Sequence, residues 1–152
     1  MKLSRIFLPL VLAVISAGCT CNDGDIGPWF GSWSMSEMTV DGRTPDGFDP
    51  TATIWEFQSS LIRISLLGEH HTMDDMSWGT WHESDGHLYL DYTHPSDKYE
   101  NSNGEYEAPS WLLIQKNSVA ELDILERSNR RMTLEYITPE GEKVVYTLKK
   151  TW

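Results

Sequence analysis

Residues 131–150, RMTLEYITPEGEKVVYTLKK, decide the fold. Apolar residues occupy every second position on both sides of a Pro-Glu-Gly turn: Met132, Leu134, Tyr136, Val144, Tyr146 and Leu148. A repeat of two places alternate side chains on opposite faces of a strand, and the turn residues suit a tight connection. The stretch therefore predicts a β-hairpin with one apolar face.

The same repeat of two runs through the chain from residue 29 onward. Runs rich in Trp, Ile, Leu, Val, Tyr and Thr alternate with clusters of Gly, Pro, Asn, Asp and Ser, and none has the period of an amphipathic helix. The runs predict strands at 31–40, 51–57, 61–67, 76–83, 87–93, 110–116, 119–127, 131–138 and 143–150. Because 110–116 also fits an ordered part of a long connection, the strand count is eight or nine.

Short turns between neighbouring runs predict sequential antiparallel hairpins, which form an up-and-down meander. The apolar face of such a meander must be buried, and closing the sheet on itself also removes its exposed edges. These two requirements favour an all-β, eight- to nine-stranded antiparallel barrel. A sandwich of two sheets is the alternative.

Length and charge limit the class of protein. The chain has 152 residues with 12 basic and 23 acidic side chains, a formal net charge of −11. This length suits one globular domain. The acidic balance argues against nucleic acid as a partner, because phosphate backbones require a basic surface. No pattern in the sequence predicts a cofactor.

The N-terminus has the features of an export signal. Lys2 and Arg5 precede an apolar run that is too short to span a bilayer. The run ends in Ser16-Ala17-Gly18-Cys19, which resembles a bacterial lipoprotein signal in which the cysteine receives the lipid. We therefore expect a signal peptide at 1–18 and attachment to the membrane through Cys19. Ordinary secretion or a retained helix is the alternative.

Residues 19–28 are small, polar and acidic, which predicts a flexible tether. Asp23 and Asp25 resemble the acidic export signals of some Bacteroidota lipoproteins, although a plain linker explains them equally. Together with the lipid signal they predict the bacterial cell envelope, at the outer membrane, either periplasmic or surface-exposed. If Cys19 carries a lipid, Cys21 has no partner for a disulfide.

The first predicted strand opens with Gly31-Ser32-Trp33, which resembles the Gly-x-Trp motif of lipocalins and their calycin relatives. With the lipid signal and the short tether, the chain is similar to the small lipocalin-like lipoproteins of Bacteroidota. The resemblance implies a lipocalin-like barrel domain over residues 29–152. It also implies that Gly31 and Trp33 close one end, and that residues 41–50 lie over the open mouth, where a plain surface loop is the alternative.

Aromatic residues are the candidates for a ligand site in the barrel interior: Trp55, Phe57, Trp78, Tyr92, Trp111, Tyr136 and Tyr146. Large rings leave little empty space in an eight-stranded barrel, so we expect recognition at the mouth and loops. The hypothesis is a lipid-anchored, non-enzymatic protein that binds a small apolar or sugar-like ligand. The alternative is an envelope scaffold with a filled barrel, whose protein partner the sequence does not identify.

The sequence contains no pattern that predicts catalysis or a metal. His70, His71, Asp74 and Asp75 share one polar connection, but their spacing is not that of a zinc site. No nucleophile elbow or phosphate-binding loop occurs, so a hydrolase using these histidines and carboxylates is the weakest hypothesis. The acidic connection 94–109 suits either recognition or a plain surface loop.

Overall fold

A computed structural model describes residues 24–68, 73–93 and 107–151. It contains eight strands: β1 Gly31–Val40, β2 Thr53–Gln58, β3 Leu61–Leu67, β4 Met73–Ser84, β5 His87–Asp91, β6 Val119–Arg127, β7 Arg131–Ile137 and β8 Lys143–Lys150. The helical segments in these ranges are three 3-10 turns, Gly24–Trp29, Pro50–Ala52 and Ser110–Leu112. Within the same ranges, no helix has the length and apolar character needed to cross a bilayer.

The strands form one closed barrel. Each strand pairs antiparallel with the next along the chain, and β1 pairs with β8 to complete the ring. The closing register runs from Trp33 opposite Lys150 to Val40 opposite Val144. The predicted all-β, up-and-down barrel is therefore confirmed with eight strands, and the two-sheet alternative is wrong. The predicted signal peptide, Cys19 and the first part of the tether lie outside the described residues.

Of the two alternatives for 110–116, the strand is wrong and the ordered part of a long connection is confirmed. Ser110–Leu112 forms a 3-10 turn, and Leu113 has a positive φ of 60°, which no strand accommodates. No sheet edge is available to this segment, because β5 pairs directly with β6 from His87 opposite Asp123 to Asp91 opposite Val119. Its alternation of apolar residues has another origin, described below.

Alternation assigns most inward positions, and bulges shift it in places. In β1 the buried hydrophobic residues are Trp33, Met35 and then Met38, because the register slips between Met35 and Glu37. In β4 the inward residues are those opposite the buried Ile62 and Ile64 of β3. Those residues are Gly79 and Ser77.

Trp78 corrects one sequence prediction. It pairs with Arg63 on the outer face of the barrel, and the Arg63 guanidinium carbon lies 5.5 Å from the centroid of its ring. The prediction that Trp78 lines the interior is wrong. Neighbouring residues of a strand point to opposite faces, and Ser77 points inward, so Trp78 points outward. Trp81, three positions further on, is the tryptophan of β4 that packs against the core.

The two ends of the barrel differ. At the end we call the closed end, the turns at 59–60, 85–86 and 128–130 are short, and the segment Gly24–Trp29 leads into β1. Trp33 is buried there, and its indole nitrogen donates a hydrogen bond of 2.9 Å to the carbonyl oxygen of Trp29. The Trp29 ring packs against Phe57 and Trp81, with centroids 5.0 and 5.6 Å apart. The opposite end, called the mouth, carries the long connections 41–52 and 92–118.

Candidate ligand site at the barrel mouth

Aromatic side chains fill the barrel interior. Trp55, Phe57 and Tyr146 have no solvent exposure, and the rings of Trp55 and Tyr146 lie 5.6 Å apart. Trp55 and Tyr146 are thus part of a packed core, while Phe57 packs at the closed end beside Trp29. A close-packed core of this kind offers a ligand no volume unless side chains move.

Part of the connection that follows β5 covers the mouth end of the barrel core. Ala108, Leu112 and Ile114 are buried against the core, which explains the strand-like alternation of this segment. The Tyr146 hydroxyl donates a hydrogen bond of 2.5 Å to the carbonyl oxygen of Leu112. Residues 107–118 therefore act as a stopper, and we use that name for them below.

Three tyrosines lie beneath the stopper: Tyr92, Tyr136 and Tyr146. Burial raises the pKa of each phenol above its ordinary value, most strongly for Tyr92 and Tyr146. The Tyr92 hydroxyl lies beside Ser77 but makes no well-aligned hydrogen bond in the described residues. The Ser77 hydroxyl donates to the carbonyl oxygen of Glu107. All three phenols are neutral at physiological pH and could act only as hydrogen-bonding groups.

A cleft of about 450 Å³ lies outside the stopper, between it and the loop that joins β1 to β2. Its lining combines apolar side chains with a short polar rim: Met38, Val40, Arg43, Thr44, Pro45, Asp46, Phe48, Trp111 and Leu113. Leu113 is 40% exposed, so part of its side chain faces the cleft and solvent. The cleft has the size and the mainly apolar lining typical of small-molecule sites.

Hydrogen bonds hold the loop over this cleft in place. Val40 and Arg43 exchange two backbone hydrogen bonds of 2.8 and 3.0 Å. Asp41 is tied to Lys143 of β8 by bonds from its amide and to its carboxylate. At the far end of the loop, Asp49 caps the turn Pro50–Ala52 by accepting from Thr51, which lowers the pKa of the Asp49 carboxyl. The cleft is thus largely preformed, which reduces the entropy lost on binding.

Of the seven residues predicted as ligand contacts, Trp111 lines the mouth cleft. It does so from the stopper and not from a strand. The main residues that the sequence prediction missed are Phe48 and Leu113. Phe48 is the one aromatic residue of the segment 41–50, so the expectation that this segment covers the mouth pointed toward it.

A second depression, of about 510 Å³, lies at the closed end. Apart from Trp29 and Trp81 its lining is polar: Ser59, Ser60, His82, Glu83, Ser84 and Asp85. Trp29 is only 1% exposed and its ring packs on Phe57, so little aromatic surface is available to a ligand. We therefore take the mouth cleft as the candidate site, although its volume is the smaller of the two.

Within the described ranges, no three His, Cys, Asp or Glu side chains converge as metal ligands. His82 is paired with Tyr89 in the β4–β5 register, and the two rings stack with centroids 4.7 Å apart. The Nδ1 atom of His87 lies 2.7 Å from an Asp123 oxygen. His70, His71 and His94, with the side chain of Asp74, lie outside the described part of the chain.

The fold is similar to that of solved proteins from Bacteroides species. A lipocalin-like protein from Bacteroides uniformis matches over 82% of this chain and 99% of its own, with a TM-score of 0.53 and 15% sequence identity. An uncharacterized protein from Bacteroides eggerthii matches over 78% and 98%, with a TM-score of 0.48 and 14% identity. No protein-family model matches the chain, and no curated protein matches it at a significant level. The closed eight-stranded barrel is therefore a lipocalin-like fold.

Proposed function

We propose that this protein is a lipid-anchored, non-enzymatic binding protein of the bacterial cell envelope. It takes a small, mainly apolar ligand in the mouth cleft. The observation that carries the proposal is the partly exposed apolar wall formed by Phe48, Trp111 and Leu113. The barrel core beneath this wall is buried. Contiguous exposed apolar surface of this kind marks a binding site on a soluble domain.

The rim of the cleft supplies the polar contacts that would orient the ligand. Arg43 and Asp46 stand at the edge of the apolar wall, together with the hydroxyl of Thr44. A small amphiphile with one hydrogen-bonding end fits this arrangement better than a sugar, which needs several polar contacts.

Ligand binding can be tested with a panel of alcohols, fatty acids and simple sugars, read by intrinsic tryptophan fluorescence. We expect amphiphiles to change the emission, and Trp111→Phe to remove most of that change. Leu113→Glu should raise the dissociation constant at least about tenfold, because it places a charge in the apolar wall. Trp78→Phe on the outer face is the matched control and should leave the response intact. Equal binding by Leu113→Glu would contradict the proposed site.

The anchoring is tested separately. Metabolic labelling with radioactive palmitate should mark the chain, and Cys19→Ser should remove both the label and the association with the outer-membrane fraction. Cys21→Ser is the matched control, two residues away, and should retain both. A Cys19→Ser chain that keeps its label would show that Cys19 is not the site of lipidation.

The alternative function is an envelope scaffold without a small-molecule ligand. It is favoured by one observation, the packed interior in which Trp55, Phe57 and Tyr146 leave no exposed surface. Chemical crosslinking in native membranes distinguishes the two proposals. A scaffold would yield a specific crosslinked protein and no fluorescence response to any member of the ligand panel.

A further inference from the structure

Basic side chains are concentrated at one corner of an acidic protein. The described ranges contain nine Lys or Arg residues, in a chain whose formal charge is −11. Five of them lie where the turn between β6 and β7 meets the end of β8: Arg127, Arg130, Arg131, Lys149 and Lys150. We call this set the basic corner. It belongs to the closed end, opposite the mouth cleft.

The backbone brings these residues together. The amide of Lys150 donates a hydrogen bond of 3.0 Å to the carbonyl oxygen of Arg130, which joins the turn to the last strand. Arg131 and Lys149 are direct partners in the register of β7 and β8, and both are exposed on the outer face. Like charges placed directly opposite each other destabilise a sheet. The fold therefore holds two positive charges opposite each other on its outer face.

Acidic side chains neutralise only part of the corner. Glu126 lies 3.3 Å from Arg131, and Glu83 forms an ion pair with Arg127. Lys150 places its ammonium 5.2 Å from the centre of the Trp33 ring. Within the described part of the chain, neither Arg130 nor Lys149 has a carboxylate at ion-pair distance. A surplus of positive charge is left facing solvent.

The tether leaves the barrel beside this corner. The Lys150 ammonium lies 3.5 Å from the carbonyl oxygen of Pro28, the last residue of the predicted tether. Cys19 and Pro28 are nine positions apart, so the chain between them spans at most about 30 Å. A lipid on Cys19 would thus keep the basic corner within about 30 Å of the bilayer surface, while the mouth cleft lies at the far end of the barrel.

We propose that the basic corner seats the barrel against anionic phospholipid headgroups and points the mouth cleft away from the bilayer. Arg and Lys are the side chains that recognise lipid phosphates, and clusters of them bind anionic membrane surfaces. Screening confines the interaction to about 10 Å, so the acidic residues at the mouth do not oppose it. The placement next to the membrane rests on the proposed anchoring at Cys19, whereas the recognition of headgroups does not.

The test uses the chain from Thr20 to Trp152, which retains all eight strands and the β1–β8 closure and lacks the lipid site. It is mixed in 0.1 M NaCl, where the screening length is about 10 Å, with vesicles of phosphatidylcholine alone, or with added phosphatidylglycerol, and sedimented. We expect at least about tenfold stronger partition onto the anionic vesicles, lost in 0.5 M NaCl. Equal partition onto both vesicles would overturn the proposal and leave an acidic protein segment as the partner of this corner.

Two double variants locate the contact. Arg130→Gln with Lys149→Gln should lower partition onto anionic vesicles by about tenfold. Lys116→Gln with Lys143→Gln removes the same amount of charge at the mouth end. This control should change partition onto anionic vesicles by less than about twofold. An equal loss in both pairs would overturn the proposal, because it would indicate an effect of net charge. Since this chain lacks Cys19, a failure here is distinct from a failure of palmitate labelling.

Discussion

Gly79 shows how one residue controls packing inside the barrel. It faces inward opposite Ile62, and a Cβ atom there would lie 2.8 Å from Cε1 of Tyr92 and 3.0 Å from the carbonyl oxygen of Asp91. We expect Gly79→Ala to lower the free energy of unfolding by about 1–3 kcal/mol, because the added methyl group forces the ring or the strand to move. Urea denaturation followed by tryptophan fluorescence measures the change.

The clash with the ring can be separated from the clash with the backbone. Tyr92→Leu removes the edge of the ring that Gly79 accommodates, so the cost of Gly79→Ala should be smaller in the Tyr92→Leu background. It should not vanish, because the Asp91 carbonyl remains. Simple additivity of the two substitutions would contradict the proposed contact.

The same position explains why the sequence prediction chose the wrong tryptophan in β4. Trp78 and Trp81 are an odd number of residues apart, so alternation places them on opposite faces without saying which face is inward. Glycine carries no hydropathy signal, although Gly79 marks the inward face through its contact with Tyr92. Which face of β4 points inward is therefore decided by a contact with a neighbouring segment, and the local sequence of β4 does not reveal it.

Strands were more predictable than connections. The bounds of β1, β3, β6 and β8 agree with those predicted from the repeat of two, because each strand has one buried and one exposed face. The stopper shows the same repeat without being a strand, since Leu112 and Ile114 are buried by the barrel and not by a neighbouring strand. The mouth cleft was less predictable for the same reason, because its walls come from two connections whose conformations depend on the assembled barrel.

Leu112 tests the role of the stopper. It has no solvent exposure, whereas its neighbour Leu113 is 40% exposed. We expect Leu112→Ala to lower the free energy of unfolding by about 2–5 kcal/mol, the cost of a cavity in a packed core, and Leu113→Ala by less than about 1 kcal/mol. Thermal unfolding followed by far-ultraviolet circular dichroism measures both. Equal effects of the two substitutions would show that the segment does not seal the mouth.

The closed end joins the N-terminal segment to distant parts of the barrel. The Trp29 indole nitrogen donates a hydrogen bond of 2.6 Å to Glu83 of β4, and the same carboxylate forms an ion pair with Arg127 of β6. The Arg127 guanidinium carbon also lies 5.8 Å from the centre of the Trp29 ring. One carboxylate thus links the entry to β1, the end of β4 and the end of β6, beside the corner proposed to face the membrane.

This link makes part of the molecule's stability depend on pH. The hydrogen bond from Arg127, together with that from Trp29, holds the pKa of Glu83 below its ordinary value of 4.5, so the charged form favours the folded state. Its contribution is complete above that value and is lost as the pH falls through the lowered pKa of the folded state. We expect Glu83→Gln to lower the free energy of unfolding by up to about 1 kcal/mol at pH 7, because the pair is partly solvated, and by less at pH 2.

Urea denaturation at pH 7 and pH 2 measures this difference directly. Glu142→Gln provides the control, because it removes one acidic charge at the mouth end, where no ion pair to Glu142 exists in the described residues. It should change stability by less than about 0.5 kcal/mol at either pH. If the loss in Glu83→Gln were the same at both pH values, the side chain would act through packing and not through the charge that binds Arg127.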